Sequence, residues 1–263
     1  MIFYDCRVRY GEHITGGSFK PCPNIAELAK TMQNCGIAGA LVYNFFADVG
    51  GINIGNDILE RDIKAQKEHT PDISFYGAYT IVPSCTNETV PPDGLPDYMR
   101  EHGFHCLRIN PAAHKFLPVA HVIGDYLEVA CTYKIPVMFD VSSGDANTDC
   151  GFTLAQADGI MRDFPELTAI LFYNNVWPSD RLLRPMLKQY KNLYLNTAHF
   201  IADGVYEEYA SMFGCDRLMH GSCFPDMYMS ANILVIKNAE ISEESKAKIA
   251  SGNFFRVIGG WVS

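Results

Sequence analysis

The chain contains no H-x-H, no C-x-x-C, no G-x-G-x-x-G and no G-x-x-x-x-G-K-[ST] in its 263 residues. Missing H-x-H removes the usual histidine pair of a strand-borne metal site, and missing C-x-x-C argues against a zinc knuckle or a dithiol redox pair. Without a glycine fingerprint after the first strand, an open doubly wound sheet holding a nucleotide is disfavoured, although Gly11 and Gly16-Gly17 fall near that point. No run of Lys or Arg interrupts a formal charge of −9, from 21 basic against 30 acidic residues, so nucleic acid and anionic membrane are not expected partners. The start Ile2-Phe3-Tyr4-Asp5 lacks a basic region followed by an apolar run, and no apolar stretch is long enough to span a bilayer. A cytoplasmic location is therefore expected. The nine cysteines are odd in number and scattered, which reads as reduced thiols, several of them core filler.

What is present is an alternation of short β-rich runs with amphipathic helical stretches, the pattern of parallel βα units. Eight strands are predicted at Ile2–Val8, Ile37–Asn44, Ile73–Val82, Phe104–Asn110, Ile135–Val141, Thr168–Tyr173, Asn192–Thr197 and Arg217–Ser222. Helices are predicted between them at Ile25–Asn34, Asp57–His69, Val119–Tyr133, Phe152–Asp163, Arg181–Gln189 and Val205–Phe213. Gly36, Gly103 and Gly214 stand where left-handed helix ends are expected, and a last helix is read from an N-cap at Ser242 to a stop at Gly252. With 48% hydrophobic residues and no linker, residues 1–263 are read as one α/β domain, a single (β/α)8 TIM barrel. Segments 45–55 and 83–92 then belong to the loops of its active-site face.

Particular motifs carry a family resemblance. The first strand, Ile2-Phe3-Tyr4-Asp5-Cys6-Arg7-Val8-Arg9-Tyr10-Gly11, resembles that of the amidohydrolase-related family (amidohydrolase family 2), in which Asp and one further residue precede H-x-H. Gly36-Ile37-Ala38-Gly39-Ala40-Leu41-Val42 is similar to its passage into strand two, and Gly103-Phe104-His105-Cys106-Leu107-Arg108-Ile109-Asn110-Pro111 to strand four. Ile135-Pro136-Val137-Met138-Phe139-Asp140 and Phe164-Pro165-Glu166-Leu167-Thr168-Ala169-Ile170-Leu171-Phe172-Tyr173 resemble strands five and six. Met219-His220-Gly221-Ser222-Cys223-Phe224-Pro225 resembles the strand-eight G-S-D-x-P, and Gly252-Asn253-Phe254-Phe255-Arg256-Val257-Ile258-Gly259 the closing segment. The resemblance implies a barrel of the metal-dependent hydrolase type, whose metal-site positions are here Arg7, Arg9, Asp140, Tyr173 and Cys223. Guanidinium is always charged and offers no lone pair, so neither metal nor another cofactor is expected.

The replacement residues suggest other chemistry. Two-residue alternation places Asp5, Arg7 and Arg9 on one face of the first strand and turns Arg108 and Asp140 inward. Three converging guanidiniums need counter-charge. Asp5 and Asp140 could provide it internally, or a small carboxylate or phosphate could bind to Arg7, Arg9 and Arg108, with Asn44 as a further polar contact. Cys223, beside arginines, could be a thiolate nucleophile or a buried filler of the lost aspartate's volume; Tyr173 could donate a proton or simply pack. With Asp140 these are the candidate catalytic residues, and His114 and His199 are top-face candidates for acid or base. The leading expectation is recognition of a small anionic molecule, with metal-independent hydrolase or lyase turnover open. The alternatives are a catalytically silent paralogue with a structural or partner-binding role, and a hydrolase with an unusual metal held by Asp140 and Cys223. Homo-oligomerisation also stays open.

Overall fold

The computed structural model describes residues 1–11, 21–141, 151–173 and 176–261. Gly16, Gly17 and Cys150 lie outside these. Eight parallel strands form one sheet in sequential order: β1 (Phe3–Tyr10), β2 (Ile37–Asn44), β3 (Ser74–Thr80), β4 (Phe104–Ile109), β5 (Val137–Val141), β6 (Ala169–Tyr173), β7 (Leu193–Asn196) and β8 (Leu218–Met219). Backbone bonds from the Cys6 amide to His220 O (2.9 Å) and from the Arg9 amide to Phe224 O (3.0 Å) join the segment around β8 to β1 and close the barrel.

Strand composition explains the two-sided burial. Val137, Phe139 and Val141 pack outward against the helix layer, with Leu107, Ile109 and Leu171 in the same core. Leu41, Tyr43, Met138, Ile170 and Met219 fill the interior. The connections follow local signals. Asn24 accepts from the Glu27 amide at the start of helix Ile25–Cys35, and Thr153 and Gln156 form a reciprocal cap on helix Leu154–Asp163. Gly36 and Gly103 end their helices at φ of 72° and 75°, a conformation glycine enters without the Cβ penalty.

Three departures from the sequence reading matter. Helix Ile52–His69 starts earlier than expected, and before it the segment 45–55 contains a short helix, Phe46–Val49. The last helix does not stop at Gly252; it runs Glu243–Ala247, passes through a π turn at Lys248–Gly252, and continues as Asn253–Ile258. Gly252 keeps a right-handed φ of −58°, so nothing in its backbone ends the helix. Finally, β1 shifts register between Asp5 and Val8. Cys6 therefore packs in the inner cluster although Arg7 also reaches inward, and Asp5 does not share a face with Arg7 and Arg9 as strict alternation would require. Among the described residues no helix is long and apolar enough to cross a membrane.

Candidate functional site

At the C-terminal ends of the strands lies a cavity of about 240 Å³ whose wall includes Arg7 and Arg9 from β1, Arg108 from β4 and Asp140 from β5. Asp48, on the short helix after β2, and Asp226, in the turn after β8, complete the charged part. This is the face on which barrels of this kind assemble sites, because the loops following the strands meet there.

The deeper half is a closed ion-pair chain. Arg7 Nε donates to Asp140 Oδ1 and Arg108 Nε to Asp140 Oδ2, each at 2.7 Å. The two terminal nitrogens of Arg108 fork onto Asp48 at 2.8 and 2.9 Å, and Asn110 Nδ2 adds a bond to Asp48 Oδ1 at 3.2 Å. Arg108 is only 1% exposed and Asp140 7%. Such depth is tolerable because each charge meets an opposite one and the cations also lie over aromatic faces. The Arg108 guanidinium sits 3.8 Å from the Tyr43 ring centre, and Arg7 sits 3.8 Å from that of Phe172. Burial alone would raise the Asp140 carboxyl, but Arg7 and Arg108 overcome it and hold the group below the ordinary carboxylate range. Burial likewise opposes the charge on both arginines, and Asp140 and Asp48 more than restore it. Tyr43, which accepts from Arg7 Nη2 at 3.1 Å, is pushed up to about 12 mainly by burial and stays a neutral phenol.

In the outer half Arg9 pairs with Asp226. Arg9 donates from Nε and Nη2 to the two oxygens of Asp226, at 3.2 and 2.5 Å, and lies over Phe45 at 4.5 Å. The Asp226 side chain is 34% exposed, against 9% for Asp48. Arg9 Nη1 donates to none of the described residues.

The structure brings together Arg7, Arg9, Arg108 and Asp140, and sets other candidates aside. Asp5 is not a counter-ion for the guanidiniums: it accepts backbone amides of Arg7 (3.0 Å) and Ser222 (3.1 and 3.2 Å), and burial raises its carboxyl. Asn44 turns to the backbone instead of the cavity, its Oδ1 accepting from the Phe46 amide at 2.8 Å as the first link of the helix that carries Asp48. Tyr173 packs against the outer core while Phe172, one residue earlier, holds the inward position over Arg7. Cys223 is adjacent to the network and accepts from Arg7 Nη1 at 3.1 Å. Its thiol is raised, not depressed, because burial outweighs the pull of Arg7, so it is not the activated thiolate expected of a nucleophile. Cys223 holds φ of +57°, a left-handed backbone uncommon for a non-glycine residue and less so for aspartate, the family's residue here. His220, 1% exposed, bonds to Asn232 Oδ1 and does not serve Cys223. His114 bonds to Ala47 O at 3.0 Å and His199 packs on Phe172; burial lowers both, so both rings are neutral at pH 7.

The residues at the family's metal positions do not fit a metal ion. Both oxygens of Asp140 already accept from guanidiniums, Cys223 receives an Arg7 N–H, and among the described residues no group of three or more His, Cys, Asp or Glu side chains could hold one. The unusual Asp140–Cys223 metal site is set aside for that reason. Asp48 and Asp226, the two carboxylates the sequence reading missed, take the role assigned to Asp5. Neither lies on a strand, and no periodicity marks them.

No protein-family model and no curated protein sequence matches the chain. Solved structures do. An amidohydrolase II protein superposes over 98% of this chain and 99% of its own, with TM-score 0.71 at 13% identity. The 5-carboxyvanillate decarboxylase of Sphingomonas paucimobilis covers 98% of both chains with TM-score 0.68 at 14% identity. The 2,6-dihydroxybenzoate decarboxylase of Rhizobium does so with TM-score 0.68 at 13% identity. The fold is that of an amidohydrolase-type TIM barrel. At such identity the likeness concerns the path of the chain, and the charged mouth of this barrel has to be read from its own residues.

Proposed function

We propose that this barrel recognises a small carboxylate-bearing molecule at its mouth, with Arg9 as the anchoring cation and the Arg7–Asp140–Arg108–Asp48 chain as the fixed floor that stands where the family holds its metal. The observation that carries the reading is the contrast between the two halves of the site. Arg108 is committed to two carboxylates in a buried chain, whereas among the described residues none accepts from Arg9 Nη1, in the cavity wall beside a partner that is one-third exposed. Guanidinium binds carboxylate through charge-assisted, geometrically matched bonds, and Phe45 beneath Arg9 fixes the plane of the fork. A cavity of about 240 Å³ limits the ligand to the size of a small organic acid. Barrels of this shape whose names record substrates, 5-carboxyvanillate and 2,6-dihydroxybenzoate decarboxylases, act on carboxylates, which supports the ligand class.

Recognition without turnover is favoured by the state of the candidate chemical groups. Asp140 is locked as a doubly paired carboxylate, Cys223 is a protonated thiol receiving a hydrogen bond, and Tyr43 is neutral. None is poised near neutrality as acid, base or nucleophile. The test is a thermal-shift screen of short organic acids and inorganic phosphate. A ligand present at a hundred times its Kd adds about 2.7 kcal/mol to stability, so a genuine ligand gives a saturable rise in Tm that Arg9→Ala removes. If no anion produces such a rise, the silent barrel, held together by internal ion pairs, is the correct reading.

A further inference from the structure

A second cavity, of about 790 Å³ against about 240 Å³ at the mouth, lies at the opposite end of the barrel. Its wall takes Lys134 just after helix Ala120–Tyr133, Met161 and Arg162 from helix Leu154–Asp163, and the turns that lead into β6 and β7. Barrels of this kind carry their chemistry at the other end, so the charge gathered here is not accounted for by the mouth. In a chain of formal charge −9, three cationic side chains, Lys134, Arg162 and Lys191, line this cavity against one carboxylate, Glu166, among the described residues. The local excess is positive. Lys134 is 3.5 Å from Glu166 with both side chains mostly exposed, Arg162 is 3.9 Å from the adjacent Asp163, and no described acid pairs with Lys191. Pairs so long and so wet hold their cations weakly, and an entering anion has little to displace.

The rest of the wall is largely apolar and fixed. Tyr190 and Tyr194, with Met161 and Pro165, supply ring and aliphatic surface. The Tyr190 hydroxyl donates to Asp158 Oδ1 at 2.8 Å, Arg217 Nη1 donates to Tyr190 O at 2.8 Å, and Asn192 Nδ2 donates to Pro165 O at 2.9 Å. A ligand therefore meets a preformed surface. We infer that this cavity is a second binding site, for a small phosphate monoester with an aromatic body: the phosphate sits among Lys134, Arg162 and Lys191, and the ring lies against Tyr190 and Tyr194. Phosphate is favoured over carboxylate because a doubly charged group with three acceptor oxygens engages all three cations, whereas a carboxylate carries charge for one. An aromatic body is favoured because the cavity is too large for the anion alone, and ring-on-ring contact adds to the apolar area buried. The site stands apart from the carboxylate reading of the mouth.

Calorimetric titrations at pH 7.5, where a phosphate monoester is close to doubly charged, use phenyl phosphate, inorganic phosphate, benzoate and benzyl alcohol as probes. Each is titrated into the wild-type protein and into Arg9→Ala, which removes the anchor at the mouth. Phenyl phosphate is expected to bind both proteins equally, to weaken as salt is raised, and in Arg9→Ala to bind at least about tenfold more tightly than each other probe. Arg162→Glu combined with Lys191→Glu, both at exposed positions, should abolish that binding while leaving the urea midpoint close to that of wild type. Failure of phenyl phosphate to bind overturns the inference, as does binding that survives the double charge reversal or is lost in Arg9→Ala. Benzoate matching phenyl phosphate in Arg9→Ala overturns the phosphate assignment, and inorganic phosphate matching it overturns the aromatic one.

Discussion

Replacing Asp140 by asparagine tests the deeper half of the site directly. The substitution preserves volume, so no cavity term enters, and its cost is electrostatic. Asp140 bridges Arg7 and Arg108 through one oxygen each. In the amide one of those oxygens becomes an NH₂ group that must face a guanidinium N–H, donor against donor. Arg108 keeps its fork on Asp48, but Arg7 loses its carboxylate and is left with the Cys223 thiol, the Tyr43 hydroxyl and the ring face of Phe172. Removing one partner of a buried pair costs about 3–5 kcal/mol, because the remaining charge has no water to return to. In a chain of this size that is a fall in Tm of about 6–20 °C. Urea denaturation of wild type, Asp140→Asn and Asp226→Asn gives the comparison: the partly exposed outer pair should cost under about 1 kcal/mol. The double substitution Arg7→Met with Asp140→Leu, which removes both charges, should be less destabilising than Asp140→Asn alone. An Asp140→Asn protein within about 1 kcal/mol of wild type, or no worse than Asp226→Asn, would refute the view that the Arg7–Asp140–Arg108 chain is buried and required by the fold.

The same carboxylate sets an acid limit. Because the folded state holds Asp140 below its ordinary pKa of about 4, its contribution is complete above that value and is lost as pH falls through the folded one. Denaturant stability of the wild type should therefore decline below about pH 4 more steeply than that of Asp140→Asn; parallel curves would contradict the assignment. Asp5 has the opposite sign, since burial raises it and its ionisation opposes folding, so the acid loss belongs to Asp140 and not to buried carboxylates in general. Cys223 should behave as an inert thiol: native-state alkylation followed by peptide mass spectrometry should modify exposed Cys85 well before buried Cys223. Labelling of Cys223 at the rate of Cys85 would restore it as a reactive group.

The inward set Arg7, Arg9, Arg108 and Asp140 was legible from the sequence because alternation along a strand is a local property, and charged residues flanked by Val, Leu, Ile and Phe betray the face on which they lie. The fold was legible for a related reason: repeated βα units with turn signals admit few closed solutions. Alternation failed at Asp5, where the β1 register shift puts Cys6 and Arg7 inward in succession; in strand six it holds, with Ile170 and Phe172 inward, and it was the resemblance that pointed to Tyr173, which lies on the outer side.

The residues of this sequence determined by themselves that an amidohydrolase-like barrel would present guanidiniums where lone-pair donors belong, since arginine stays charged and offers no lone pair whatever surrounds it. Only the tertiary structure decided what neutralises them. Arg9 and Asp226 are 217 positions apart, Arg7 and Asp140 are 133 apart, and Arg108 reaches back 60 positions to Asp48. Pairs at such separations leave no periodic trace along the chain, and they exist because barrel closure brings the ends of β1, β4 and β5 and the segments after β2 and β8 to one mouth, where burial makes unpaired charge too costly to leave.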